Sequence, residues 1–185
     1  MTRLRPALPV DAPSLAVLAE RSFREAFGRR NSPENMDLHC ARTFGQDIQL
    51  REIRDPRLAT TIAEEYGRIV GFSQLRIPSV HAAIAAERPA EIARIYVLAE
   101  WHGRGVAQEL MRAALAKASR DGCDCLWLGV WEHNPRAMAF YRKFGLEVVG
   151  THAFMLGLDR QRDLIMSVKL GGAGSASPGA GRGVA

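Results

Sequence analysis

A strand-like run, Ile92-Ala93-Arg94-Ile95-Tyr96-Val97, leads within a few residues into Trp101-His102-Gly103-Arg104-Gly105-Val106-Ala107, and this second segment opens a helix. Val106, Ala107, Leu110, Met111, Ala114, Leu115 and Ala118 form one apolar stripe at helical spacing; Glu109, Arg112, Lys117 and Arg120 lie off it, and Asp121-Gly122 stops it. Two glycines let the backbone turn tightly and approach a ligand. The free N–H groups of a helix start point at such a ligand, and the helix dipole favours negative charge there. The order of strand, glycine-rich turn and amphipathic helix therefore predicts a phosphate cradle in an α/β domain.

Three kinds of phosphate ligand suit such a cradle, and the glycine spacing separates them. A dinucleotide fold wants a third glycine where Gln108 stands, and an acidic residue about twenty positions on, at the end of the next strand. Here Asp121 and Asp124 precede that strand. A nucleotide triphosphate loop wants Gly-Lys followed by Ser or Thr, and the chain contains no such triplet. Otherwise Gly103 and Gly105 merely tighten a strand-to-helix turn.

The segment His102 to Ala107 resembles the acyl-CoA pyrophosphate loop of the GNAT N-acetyltransferase family: Gln or Arg, two residues, Gly, one residue, then Gly or Ala. His102 stands in the Gln/Arg place, a departure that leaves the backbone donors untouched. Downstream, Cys125 to Trp131 reads as a buried strand, and Asn134-Pro135 as an N-cap followed by the preferred first helical residue of a helix that ends at Gly145. Gly129 to Asn134 and Ala139 to Leu146 together resemble the family's second signature, a strand, an Asn and a Tyr-bearing helix before a closing hairpin. Three further segments, Asn31 to Met36, Trp127 to Glu132 and Asp163 to Met166, are similar to the PaiA-type branch, described as spermidine/spermine N-acetyltransferases. The likeness spans residues 2 to 169.

The resemblance implies a GNAT fold, a mixed and splayed central sheet of about six to seven strands flanked by helices. The pattern of residues supplies the same order of elements. Residues 2 to 8 read as a first strand, Asp11 as the cap of a helix that Gly28 ends, and 33 to 54 as one or two short helices. Strands near 58 to 64 and 68 to 77 flank a Glu65-Tyr66-Gly67 turn, and 78 to 89 reads as a loop. The strand of 91 to 98, the cradle helix, the strand of 124 to 131, the Asn134 helix and strands near 146 to 157 and 161 to 169 complete one domain over residues 1 to 170. The Gly/Ser/Ala-rich segment 171 to 185 is expected to be a disordered tail.

Composition narrows the class of function. The 185 residues contain no apolar stretch near the length of about 20 that a membrane span needs, and the opening Met1 to Pro6 lacks the apolar region of a secretion signal. A cytoplasmic enzyme without membrane attachment is the expectation. Three cysteines, Cys40, Cys123 and Cys125, show no paired metal-knuckle spacing, and the five histidines are scattered, so neither a disulfide framework nor a metal site is expected. The formal charge of +5 and the isoelectric point near 9.6 come from Lys and Arg spread along the chain rather than from a basic run, which speaks against nucleic acid.

What the resemblance implies about chemistry can be placed on this chain residue by residue. Acetyl-CoA is the donor: its pyrophosphate would lie on His102, Gly103, Arg104, Gly105, Val106 and Ala107, and its pantetheine arm would pair with the open strand edge at Ile95, Tyr96 and Val97, where a backbone N–H polarises the thioester carbonyl. Asn134 would touch the same cofactor or serve only as a helix cap, and Lys143 or Arg142 would reach the 3′-phosphate. Tyr141 is the candidate general acid for the departing thiolate, whose parent thiol has a pKa of about 8.5; its alternative is a core aromatic. Many polyamine-acetylating relatives carry Glu where Ala93 stands, so the candidate base is Glu91, two residues earlier and on the same face by strand alternation. Glu34 and Glu132 are candidates for holding a cationic substrate, and all three carboxylates are equally readable as surface groups.

The acceptor expected from these readings is a primary amine, first a polyamine such as spermidine or spermine. The alternatives are another small amine, an antibiotic, a peptide amine, or a non-catalytic acyl-CoA sensor, motivated by Ala93. The family also leaves a homodimer open.

Overall fold

The computed structural model describes residues 2–171, so all but Gly171 of the expected tail lies outside the described residues. Among these, seven strands form one sheet: β1 (Arg3–Pro6), β2 (Leu58–Glu65), β3 (Arg68–Arg76), β4 (Pro89–Val97), β5 (Cys125–Trp131), β6 (Glu147–Leu156) and β7 (Asp159–Lys169). Their spatial order is β1-β2-β3-β4-β5-β7-β6, antiparallel throughout except for β4 and β5. Five α-helices flank the sheet: α1 (Ala12–Phe27), α2 (Pro33–Thr43), α3 (Gln46–Arg54), α4 (Val106–Arg120) and α5 (Pro135–Arg142). Mixed sheet and helices agree with the architecture expected from the sequence.

Period-two alternation in β5 divides the interior. Leu126, Leu128 and Val130 pack with Met111, Ala114 and Ala118 of α4 and with Tyr141 of α5, whereas Cys125 and Trp127 pack with Ile84 and Ile165 on the other face. On that other face α1 and α2 bring Leu15, Leu18, Phe23, Met36 and Cys40 onto Ile62 and Phe72. Both faces of the central strands are covered, which is why β5 reads as a nearly continuous apolar run.

The expected cap of α1 is corrected. Asp11 makes no side-chain cap on that helix; its carboxylate accepts the Leu8 N–H at 2.7 Å at the entry of a short 3₁₀ turn, Pro9–Asp11, and is gripped by both terminal nitrogens of Arg5. Gly28 ends α1 as expected, as its C-cap, in a right-handed rather than a left-handed conformation, and the backbone continues through a 3₁₀ turn to Arg30.

The segment 31 to 36 works as a clasp. Ser32 caps α2 by accepting the Asn35 N–H, Asn31 accepts a hydrogen bond from Gln161, and the Asn35 side chain accepts the Leu158 N–H in the β6–β7 turn at 2.8 Å. The hairpin presses so closely that a Cβ on Gly157 would lie 2.7 Å from the Asn35 backbone.

Candidate active site

β4 and β5 separate after three residue pairs. Pro89, Ala90 and Glu91 pair with Cys125, Leu126 and Trp127, and beyond them both strands run on, to Val97 and Trp131, without pairing with each other. A bulge coincides with the start of the opening: Arg94 faces Gln74 of β3 and Ile92 faces Leu75, which leaves Ala93 over. The extra residue reverses the alternation. Ala90 and Ile92 face the α4 layer before the bulge, and Ile95 and Val97 face it afterwards. Strand alternation therefore does not carry from Glu91 past the bulge, and Glu91 shares its face with Arg94 and Tyr96 rather than by simple period two. The Leu98 N–H bonds to Val70 across β3, so the preceding peptide turns its groups the other way, and Val97 presents its N–H and carbonyl to the open side of β4.

The cradle lies at the mouth of this opening. Gly103 and Gly105 have φ of +78° and +88°, and a Cβ on either would meet nothing within 4 Å, so the backbone there borders open space. The N–H groups of Val106, Ala107 and Gln108 begin α4 without carbonyl partners one turn earlier in the helix. A cleft of about 340 Å³ runs from His102, Gly103, Gly105 and Ala107 to Arg136, Ala139 and Phe140 of α5 and to Lys143 at its C-terminal cap. Helix N–H donors on one wall and two cations on the other fit an anionic, phosphate-bearing ligand. Arg136 was not singled out in the sequence. It stands one helical turn before Ala139 and Phe140 and two before Lys143, and that i, i+3, i+7 stripe was the signal for it.

His102 lines the cleft and bonds back to the end of β4. Its Nε2 lies 2.9 Å from the Val97 carbonyl oxygen, and since a carbonyl only accepts, Nε2 carries the proton. Arg104 stacks over the Trp101 ring at 4.8 Å from its centroid.

Asn134 caps α5 by accepting the Ala137 N–H at 3.1 Å. Seven residues on, Tyr141 is buried in the α4–α5 layer, while Tyr96 packs in the α1 layer among Phe23, Phe44 and Phe72. The two rings pack on opposite faces of the sheet. Burial raises the pKa of both, Tyr96 to about 12, and the neighbouring Tyr96 adds to the rise at Tyr141, so both hold their protons through the neutral range.

The carboxylates are less free than their sequence positions suggest. Glu91 Oε2 is 2.7 Å from Arg76 Nη1 and accepts the Ser79 hydroxyl at 2.7 Å. Glu132, at the end of β5, is paired with Arg162, which holds its carboxyl below the usual range. Glu34 is exposed in the first turn of α2, away from both. A second concavity, of about 650 Å³, lies around Trp131, Glu132, His133, His152, Arg160 and Arg162. Among the described residues no three His, Cys, Asp or Glu side chains converge as a metal site, and no helix is long and apolar enough to cross a membrane.

The family model for the acetyltransferase (GNAT) family matches residues 15–146. An uncharacterized N-acetyltransferase encoded in the pepI 3′ region of Lactobacillus delbrueckii subsp. lactis is 32% identical over 160 residues, covering 86% of this chain and 92% of its own length. An uncharacterized N-acetyltransferase of Mycobacterium tuberculosis is 34% identical over 156 residues, 84% of this chain and 96% of that protein. Among solved structures, PaiA N-acetyltransferase from Thermoplasma acidophilum in complex with coenzyme A superposes with a TM-score of 0.74 over 91% of this chain and 99% of that one, at 20% identity. At that identity the likeness establishes the fold.

Proposed function

We propose, from the premise that this chain belongs to the acetyltransferase (GNAT) family, that it transfers the acetyl group of acetyl-CoA to a primary amine. The observation that carries the reading is the cleft in which the glycine-rich start of α4 meets Arg136 and Lys143 at the mouth of the β4–β5 opening. Coenzyme A in the Thermoplasma structure supports the same ligand here. When bound, acetyl-CoA would supply an activated acyl group as a thioester.

The chain's own residues then divide the work. The N–H groups of Gly105 to Gln108 would hold the pyrophosphate, and Arg136 and Lys143 the remaining phosphate. The open edge of β4 would align the pantetheine arm, with the Val97 N–H turned towards it, and a backbone donor there would stabilise charge developing on the carbonyl oxygen. Tyr141, protonated at neutral pH, would hand its proton to the departing sulfur. Asn134 contributes by holding α5 in place, which sets the position of Tyr141.

Spermidine and spermine are the first acceptors to test, through the likeness of three segments to the PaiA-type branch. Charge weighs on the other side. Glu132 is already neutralised by Arg162, and Arg30 and Arg160 stand in the same concavity, so a polycation finds little free carboxylate there.

The test is release of free CoA from acetyl-CoA across spermidine, spermine, small diamines, aminoglycosides, lysine peptides and a blank without amine, with the product identified by mass. Turnover confined to polyamines supports that class; turnover of another amine keeps the transferase reading and replaces the substrate. Acetyl-CoA binding with silence across the panel supports an acyl-CoA sensor instead.

A further inference from the structure

On the sheet face opposite α4, His152 of β6 and Asp163 of β7 stand side by side over Gly129 of β5. The two are register partners in the β6–β7 ladder, with His152 Nε2 3.7 Å from Asp163 Oδ2. A Cβ on Gly129 would come within 3.3 Å of that nitrogen and 3.4 Å of that oxygen, so the pair occupies the space a side chain on Gly129 would fill. Gly129 lies two residues beyond Trp127, the last β5 residue paired with β4. The imidazole therefore lies against β5 where the splay begins. We propose, resting on the transferase reading above, that His152 is the group that takes the proton from the acceptor amine and that Asp163 positions it.

Three observations carry this. First, Asp163 is buried and its Oδ1 is without a hydrogen-bond partner in the structure, so the carboxylate is poorly solvated as an ion unless a cation forms beside it. An imidazolium at His152 is that cation. Burial raises the Asp163 carboxyl while His152 opposes the rise. Second, the imidazole keeps a route to solvent, its side chain being 32% exposed against 13% for Asp163, so a captured proton can leave. Third, Glu91 is held by Arg76 and Ser79 and Glu132 by Arg162, whereas the charged partner of His152 is the carboxylate of Asp163. The charged and titratable groups that face the pair are Glu132 from the end of β5, which acts on Asp163, His81 from the loop before β4, whose ring is 5.5 Å from that of His152 and 5.1 Å from Trp127, and, across the same concavity, Arg30, His133, Asp159, Arg160 and Arg162, of which Arg162 is paired with Glu132.

The protons balance. An alkylammonium gives one proton to His152 and becomes the neutral nucleophile; its nitrogen forms the new bond to the acetyl carbon as the carbon–sulfur bond breaks. Tyr141 protonates the departing sulfur and is reprotonated by the second proton lost from nitrogen, and His152 releases the first proton to solvent.

The experiment compares full-length wild type, His152→Gln and Asp163→Asn, measuring acetyl-CoA affinity by calorimetry and kcat/KM against pH with the amine of the above panel that is turned over fastest. Expected in His152→Gln are unchanged acetyl-CoA affinity, which reports an intact fold, a fall in kcat/KM of about a hundred- to ten-thousand-fold, and loss of the acidic limb of the profile. In Asp163→Asn kcat falls with KM and acetyl-CoA affinity unchanged, because the imidazole is no longer positioned against β5. His152→Gln within about threefold of wild type with its acidic limb retained overturns the role of His152 and leaves the transferase reading standing. A wild type that binds acetyl-CoA but acetylates no amine overturns both.

Discussion

The Nε2–H of His102 donates to the Val97 carbonyl at 2.9 Å, tying the start of the cradle to the last residue of the splayed strand. With the backbone bonds from Trp101 to Leu98 and from His102 to Ala99, this bond ties the loop proposed to hold phosphate to the edge proposed to align the thioester. In the resembled motif this position carries Gln or Arg; here the side chain positions backbone instead of reaching outward. His102→Ala removes the tie and is expected to lower stability by about 0.5–1.5 kcal/mol, measured by urea unfolding, and to weaken acetyl-CoA binding several-fold by calorimetry. Unchanged affinity would show that the loop is set by its glycines alone.

Binding and chemistry should be separable at two positions. Gly105 has φ of +88°, a conformation an L-residue adopts at a cost of about 1–2 kcal/mol and a β-branched one at more, so Gly105→Val should weaken acetyl-CoA binding at least about tenfold. Tyr141→Phe keeps the ring and removes the proton; kcat should fall about a hundred- to ten-thousand-fold with acetyl-CoA affinity nearly unchanged. Equal loss of affinity in both variants would refute the division.

The clasp between α2 and the β6–β7 hairpin has its closest approach at Gly157, where φ is +62° and a Cβ would lie 2.6 Å from Asn35 Oδ1. Gly157→Ala must strain the turn and push the hairpin off α2, at an expected loss of about 1–3 kcal/mol. Thermal unfolding measures it; a melting temperature equal to that of wild type would mean the hairpin shifts freely.

Acid should expose the Arg5–Asp11 pair. Its bonds of 2.7 and 2.9 Å, with the Leu8 N–H also on Asp11, lower the Asp11 pKa, chiefly through the Arg5 hydrogen bonds. The folded value lies below the unfolded one of about 3.9, so the native state binds the proton less readily; the contribution is complete above the unfolded value and fades as pH falls through the folded one. Asp11→Asn should lose about 1.5–3 kcal/mol at pH 7, with the gap to wild type shrinking between pH 5 and 3 in urea titrations. A gap that stays constant with pH would assign the effect to packing.

The local elements of this protein were legible in its sequence because their determinants lie within a few residues of one another. The apolar stripe from Val106 to Ala118, the glycines of the cradle and the Asn134-Pro135 start each act over one or two helical turns, and the structure places α4 and α5 as they indicate. Even there the cap at Asp11 went elsewhere, since Arg5, six residues away on β1, offered its carboxylate a charged partner.

Relations between strands were decided only by the tertiary structure. A bulge is a mismatch between two chains, and nothing within Ile92 to Val97 says that β3 will leave Ala93 unpaired; that single residue moved Glu91 out of the alternation from which its role was read. His152 and Asp163 stand eleven positions apart and meet because the β6–β7 hairpin pairs them, over a glycine brought from β5. Arg136 becomes a cleft residue only once α5 lies across from the start of α4. Spacing along the chain determines helices and turns, whereas which side chains share a site depends on register, and register is set by the whole sheet at once.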